Sequence, residues 1–197
     1  MKKRIIIISI LLLSCLLFTE CQRGYNSYKT FILTEGTVHF SLEYRTYYKI
    51  NEVHPGDNTG TVLKDIMYLT LISPKIKETG DYTYIDIIAE KPNELVPDAK
   101  SGIERAKRLA ASWADYELLS EEEITIDGVK AYRIDYQNQN IIPAIAGTGG
   151  PVLSVYREVR FDADGLVWMI QMMSDSSTAE ADKSDFEYIL DTFEILD

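Results

Sequence analysis

Leu118-Leu119-Ser120-Glu121-Glu122-Glu123-Ile124-Thr125-Ile126-Asp127-Gly128-Val129-Lys130-Ala131-Tyr132-Arg133-Ile134-Asp135-Tyr136 is the stretch that decides the fold class. Two runs of β-branched and aromatic residues flank an Asp-Gly pair, which readily takes the positive backbone angles of a two-residue hairpin turn. The pattern recurs downstream. Val155 to Phe161, the loop Asp162-Ala163-Asp164-Gly165 and Leu166 to Met173 spell a second hairpin. Between the two lies Gln137 to Leu153, read as a long loop that holds Ile141, Ile142, Pro143, Ala144 and Ile145 and then Gly147-Thr148-Gly149-Gly150-Pro151. Loops of that length in compact domains tend to be functional or mobile.

Upstream of the hairpins, Ile103, Ala106, Leu109, Ala110 and Trp113 recur at helical spacing between Pro97 and Asp115, with Glu104, Arg105, Lys107 and Arg108 on the other side. Val38, Phe40, Leu42 and Tyr44 alternate with polar residues, the period of two of a half-buried strand. Ile66 to Ile72 and Tyr82 to Ala89 read as two more strands, whereas Tyr47 to Gly60 reads as turn and loop. Past the second hairpin, Ser177-Thr178-Ala179-Glu180 has the form of a capping box ahead of a helix with Phe186, Ile189, Leu190 and Phe193 on one face. Strands, helix, four strands and helix, in that order, predict an α+β domain with helices flanking a largely antiparallel sheet. The expected organisation is a signal segment over 1–21, a tether over 22–36 that folds onto the domain or hangs free, and one domain over 37–197.

The run Ile126 to Tyr136, then Tyr156-Arg157-Glu158-Val159, Gly165-Leu166-Val167-Trp168 and the Ser174-Asp175-Ser176-Ser177 helix entry resemble the PsbP-like proteins. That group includes the extrinsic oxygen-evolving subunit of photosystem II and many bacterial lipoproteins. The resemblance spans roughly Gly36 to Asp197 and rests on turns and strand patterns. It implies an α/β/α sandwich and an accessory or assembly role outside the membrane. Some PsbP relatives are linked to calcium, so a photosystem-type or calcium-binding accessory subunit is one role the resemblance implies.

Lys2, Lys3 and Arg4 followed by the apolar Ile5 to Phe18 give the charged-then-apolar order of an export signal. At about fourteen residues, the apolar run is shorter than the roughly 20 that a spanning helix needs. Both cysteines fall at its end. Leu12-Leu13-Ser14-Cys15 has the leucine and the small residue that lipoprotein processing requires, whereas Phe18-Thr19-Glu20-Cys21 places a glutamate before the thiol. Cys15 is therefore the expected site of lipid attachment, with Cys21 the alternative. Acyl chains add about 0.8 kcal/mol of membrane affinity per buried methylene, so two or more of them anchor a protein stably. The expected location is the extracytoplasmic face of the cell membrane.

With no cysteine beyond Cys21, the folded part has no disulfide, no thiolate zinc site and no cysteine nucleophile. Loss of the three leading cations takes the formal charge from −11 to −14 for a product starting at Cys15, which disfavours nucleic acid and anionic lipid heads as partners. The motifs that bear chemistry are sparse. Asp162-Ala163-Asp164-Gly165 resembles the start of a calcium loop, but the twelfth position from Asp162 is Met173 where a bidentate glutamate belongs. His39 and His54 are the only histidines, and neither sits in a zinc motif. No GxSxG elbow occurs. Glu121, Glu122 and Glu123 alternate between faces if they lie on a strand, and the glycines at 147–150 lack the lysine of a phosphate loop.

These readings predict no catalytic residues, no metal site and no cofactor. The expected role is a non-enzymatic binding or assembly module with a protein or small-ligand partner, met through Ile141, Ile142, Ile145, Tyr47 and Tyr48. An extracytoplasmic hydrolase with a site formed only in three dimensions is the alternative. A bioorthogonal palmitate analogue fed to cells is expected to label the native chain and Cys21→Ser, and to leave Cys15→Ser unlabelled; in-gel fluorescence reads the result.

Overall fold

A computed structural model describes residues 27–34, 38–55, 66–74, 82–140 and 152–196. In chain order these form β1 (Tyr28–Leu33), β2 (Phe40–Arg45), β3 (Lys49–Pro55), β4 (Ile66–Ile72), β5 (Tyr84–Glu90), α1 (Ala99–Ala110), β6 (Glu117–Ile126), β7 (Val129–Asn140), β8 (Val152–Ala163), β9 (Leu166–Asp175), α2 (Ala179–Thr192) and β10 (Glu194–Ile195). A three-stranded sheet runs β1-β2-β10 and a seven-stranded sheet runs β3-β4-β5-β9-β8-β7-β6. Every pairing in both is antiparallel, so the α+β class follows.

Both hairpins turn on Asp-Gly. Asp127 and Gly128 sit at φ 48° and 76°, and Asp164 and Gly165 at 53° and 74°, the mirror-image turn angles that match the twist of paired strands. The second hairpin is tighter than the sequence reading, because β8 runs on to Ala163 and leaves two residues in the turn. Asp162 does not stand free in that turn as a cation ligand would. Its Oδ1 accepts the Ala99 N–H at 2.9 Å and ties the first turn of α1 to the hairpin.

The large sheet is apolar on one face. Leu69, Leu71, Ile85, Ile87, Ile170 and Val159 are fully buried there against Phe40 and Leu42 of β2 and Phe186 and Ile189 of α2. At the centre Trp168 packs edge-on to Phe40 with centroids 5.6 Å apart, parallel to Phe161 at 5.9 Å and edge-on to Phe193 at 5.3 Å. Such arrangements add to the free energy of area burial. On the opposite face α1 covers β7, β8 and β9. The small sheet and α2, the large sheet, and α1 are thus three successive layers.

Three stretches differ in detail from their sequence reading. The tether takes the first of its two alternatives and folds onto the domain, as a strand: Tyr28 to Leu33 pair residue by residue with Arg45 to Phe40. Its exposed edge position, with Ile32 59% exposed, explains why the stretch shows no clear period. The stretch read as loop after Tyr47 holds β3, an edge strand whose register shifts between Ile50 and Glu52; a bulge interrupts the alternation by which strands are recognised. At α2 the capping box does not form, since Thr178 is in the αR region and its side chain makes no cap bond. Thr178 Oγ1 instead meets Asp182 Oδ2 at 2.9 Å, and Asp175 Oδ1 accepts the Ser177 N–H at 2.7 Å.

Phe40→Ala is expected to lower stability by about 3–5 kcal/mol, the range for emptying a buried aromatic site, and Ile32→Ala by no more than about 0.5 kcal/mol. Urea denaturation followed by far-UV circular dichroism checks both.

Candidate functional site

A cleft of about 250 Å³ opens between α1 and the sheet face beneath it. Its roof is the helix. Asp98 caps α1 by accepting the Ser101 N–H at 2.7 Å, which with the Asp162 tie fixes the angle at which the helix crosses the strands. Gly102 faces the floor, and a Cβ there would stand 2.7 Å from Arg160 Cδ, so the absent side chain is what lets the arginine run under the helix. Ile103 and Ala110 pack onto Ile134 and Tyr136, but Leu109 and Trp113, read from the sequence as part of the same apolar stripe, are 52% and 46% exposed at the cleft rim. Trp113 lies beyond the last helical residue, where the chain turns toward β6. Helical spacing in the sequence could not show that the helix ends first.

The floor joins aromatic rings to one polar network. Tyr136 of β7 and Tyr156 of β8 are cross-strand partners whose rings stack 4.9 Å apart at 5°. Next to them Glu158 is 1% exposed. Its Oε1 accepts from Arg160 Nε at 2.6 Å and its Oε2 from Gln171 Nε2 at 2.7 Å. Arg160 also points Nη2 at Met169 Sδ, 3.1 Å away, and Nη1 lies 4.0 Å from Glu90. A buried carboxylate held on both oxygens this way is a fixed counter-ion rather than a free base. Burial, and then the negative charge of Glu158, push the Tyr136 hydroxyl far above the ordinary tyrosine range, so it stays protonated at any physiological pH. Asn138 also lines the cleft, is 4% exposed, and its Oδ1 has no hydrogen-bond partner among the described residues.

The sequence-predicted contact residues lie elsewhere. Tyr48 is 2% exposed within the core and offers no surface to a partner. Tyr47 is half-buried, stacks on Tyr48 at 4.9 Å and donates its hydroxyl to Asp185 of α2, a carboxylate that also accepts from Arg45 Nε at 2.8 Å. These tyrosines close the small sheet onto α2, and the physical reason is the strand β3 that starts immediately after them. Ile141, Ile142, Ile145, Cys15 and Cys21 lie outside the described residues. His39 precedes β2 in the small sheet and does not line the cleft, and His54 lies in β3 at the edge of the large sheet. Glu121 and Glu123 pair with Lys107 and Lys130 at 2.8 and 2.9 Å, while Glu122 lies 3.7 Å from Arg133, as alternation along a strand requires. Among the described residues no cluster of three or more His, Asp or Glu side chains has a metal-binding arrangement. No described helix is long and apolar enough to cross a membrane.

No protein-family model and no curated protein matches the chain. Solved structures do. LpqN of Mycobacterium tuberculosis, described as involved in cell envelope biogenesis, superposes with a TM-score of 0.55 at 9% identity over 87% of this chain and 93% of its own. Cyanobacterial PsbP from Synechocystis gives 0.53 at 12% identity over 86% and 93%. The Saccharomyces cerevisiae Ran-binding protein Mog1p gives 0.52 at 11% identity over 87% and 96%. The chain has the Mog1/PsbP-like fold. At these identities the likeness is one of architecture, and it bears out the α/β/α sandwich that the resemblance implied.

Gly102→Ala is expected to destabilise the protein by about 1–3 kcal/mol through overpacking on Arg160, although alanine is the better helix former by about 1 kcal/mol. In an Arg160→Ala background the same change is expected to be neutral or mildly stabilising. A double-mutant cycle of urea midpoints distinguishes the two.

Proposed function

We propose that this chain is a lipid-anchored, extracytoplasmic binding module that takes up a small ligand in the cleft between α1 and the large sheet. The observation that carries the reading is the cleft itself. Two large apolar side chains, Leu109 and Trp113, stand exposed at its mouth, and the buried amide of Asn138 lines it with an Oδ1 that accepts no hydrogen bond from the described residues. Clefts that pair apolar walls with a few fixed polar groups are the usual form of a ligand site. An unmet buried acceptor costs about 1–3 kcal/mol, a penalty that a bound donor removes.

The chemistry of the cleft favours binding over turnover. Glu158 is the carboxylate that lines it, and both of its oxygens are engaged by Arg160 and Gln171. A hydrolase would need a nucleophile with a base in reach and a donor for the developing oxyanion. The groups at the floor instead hold one another in place, which is what a preorganised receptor requires. Export and acylation at Cys15 would set this receptor on the outer side of the membrane. A role at the cell envelope is in keeping with LpqN, which shares the fold and is described as involved in cell envelope biogenesis.

Native mass spectrometry of the gently extracted full-length chain is expected to show a small-molecule adduct. Leu109→Arg, which changes only the exposed rim, is expected to lower its occupancy at least about tenfold while leaving the urea midpoint within about 0.5 kcal/mol. An adduct that persists undiminished in Leu109→Arg would place the ligand elsewhere.

A further inference from the structure

We infer that the ligand of the cleft is a neutral saccharide unit, an inference that rests on the cleft being the binding site. Three features of the lining select this chemistry, and each excludes a different rival.

Charge comes first. Arg160 and Glu158 bond each other at 2.6 Å on the floor, Arg105 lines the cleft with them, and Glu90 lies 4.0 Å from Arg160, so the local charges cancel. An anionic ligand would have to approach a chain of formal charge −11, and an ammonium would have to enter beside two guanidinium groups. A neutral molecule meets neither obstacle.

The aromatic geometry comes second. Tyr136 and Tyr156 lie face to face, so no slot is open between them for a planar ring. Trp113, 46% exposed, is the most accessible aromatic side chain of the lining. A planar heterocycle gains most when both its faces are covered. A pyranose ring gains from one, because its axial C–H bonds are polarised positive and meet the negative face of the indole, while its hydroxyls point outward around the rim.

The hydrogen-bonding inventory comes third. Asn138 Oδ1 accepts from no donor among the described residues, and the Arg105 guanidinium at the lining supplies donors. A hydroxyl serves either, and adjacent ring hydroxyls serve both at once. The volume of about 250 Å³ lies just below the roughly 300–1,000 Å³ typical of drug-sized ligands and holds one ring, with a second emerging past Trp113.

The test uses the full-length chain in a zwitterionic detergent with no sugar headgroup. Trp168 is buried at 1% exposure, so a ligand-induced change in tryptophan emission reports on Trp113. Neutral mono- and disaccharides of glucose, mannose and N-acetylglucosamine, nucleosides, alkylamines and aromatic carboxylates are titrated to millimolar concentration, with calorimetry in parallel. At least one saccharide is expected to bind with a blue shift of Trp113. Asn138→Ala and Trp113→Ala are each expected to weaken it by roughly tenfold, with Trp113→Phe retaining most of the affinity. Binding of nucleosides, amines or carboxylates in place of saccharides, with the same dependence on Asn138 and Trp113, overturns the sugar inference and leaves the cleft as a ligand site. Saccharide binding that is indifferent to both substitutions overturns the inference as well. Silence from all four classes, by emission and by calorimetry, overturns the inference together with the cleft reading on which it rests.

Discussion

The two faces of the seven-stranded sheet are unequal, and the rest of the molecule follows from that inequality. On one side a continuous apolar surface is sealed by β2, α2 and the ring cluster around Trp168. That burial supplies the principal stabilisation of a chain with no cysteine in its folded part. On the other side a helix of 12 residues rests on β7, β8 and β9, over a strip of sheet that mixes tyrosines with charged residues. Because the first face carries the stability, the second is free to hold a hollow. Two small anchors set the helix over it: the Asp98 cap and the bond from Ala99 N–H to Asp162.

The architecture was legible in the sequence wherever local chemistry and tertiary structure agree. The Asp127-Gly128 and Asp164-Gly165 turns, the strands of β4 and β5, and the faces of α2 carry their own instructions. The edges of the sheets do not. β1 and β3 are paired along one side and largely exposed, so neither needs the alternation by which buried strands announce themselves, and β3 is further bulged. At α2 the letters of a capping box are present, but Thr178 turns its hydroxyl to Asp182, and backbone conformation decided the outcome.

The candidate site was much less legible, for a geometric reason. Its floor combines Tyr136, Tyr156, Glu158 and Gln171, which come from three strands and share no local motif. Leu109 and Trp113 read as core because spacing alone cannot say where a helix stops or what lies under it. Tyr47 and Tyr48 read as partner contacts because they open a stretch that reads as turn and loop, with closure of the sheet edge the other reading, and the structure folds them against α2 and the core. Tyr156-Arg157-Glu158-Val159 carries a signal, since a strand of large residues that places an arginine on one face and a glutamate on the other must satisfy a charge on each. Gly102 had no signal at all: its role exists only against Arg160.

β6 has a consequence for encounters between copies of the chain. It is ten residues long, borders the large sheet, and is exposed over most of its length, with Leu118 and Leu119 bare to solvent. A margin of that kind invites another copy to zip alongside. In antiparallel self-pairing centred on the acidic triplet, Glu122 would face its own duplicate and Glu121 would oppose Glu123, so like charges would meet at successive rungs. Repulsion at those rungs would weigh against such zipping, to the extent that Lys107, Lys130 and Arg133 do not already neutralise the row.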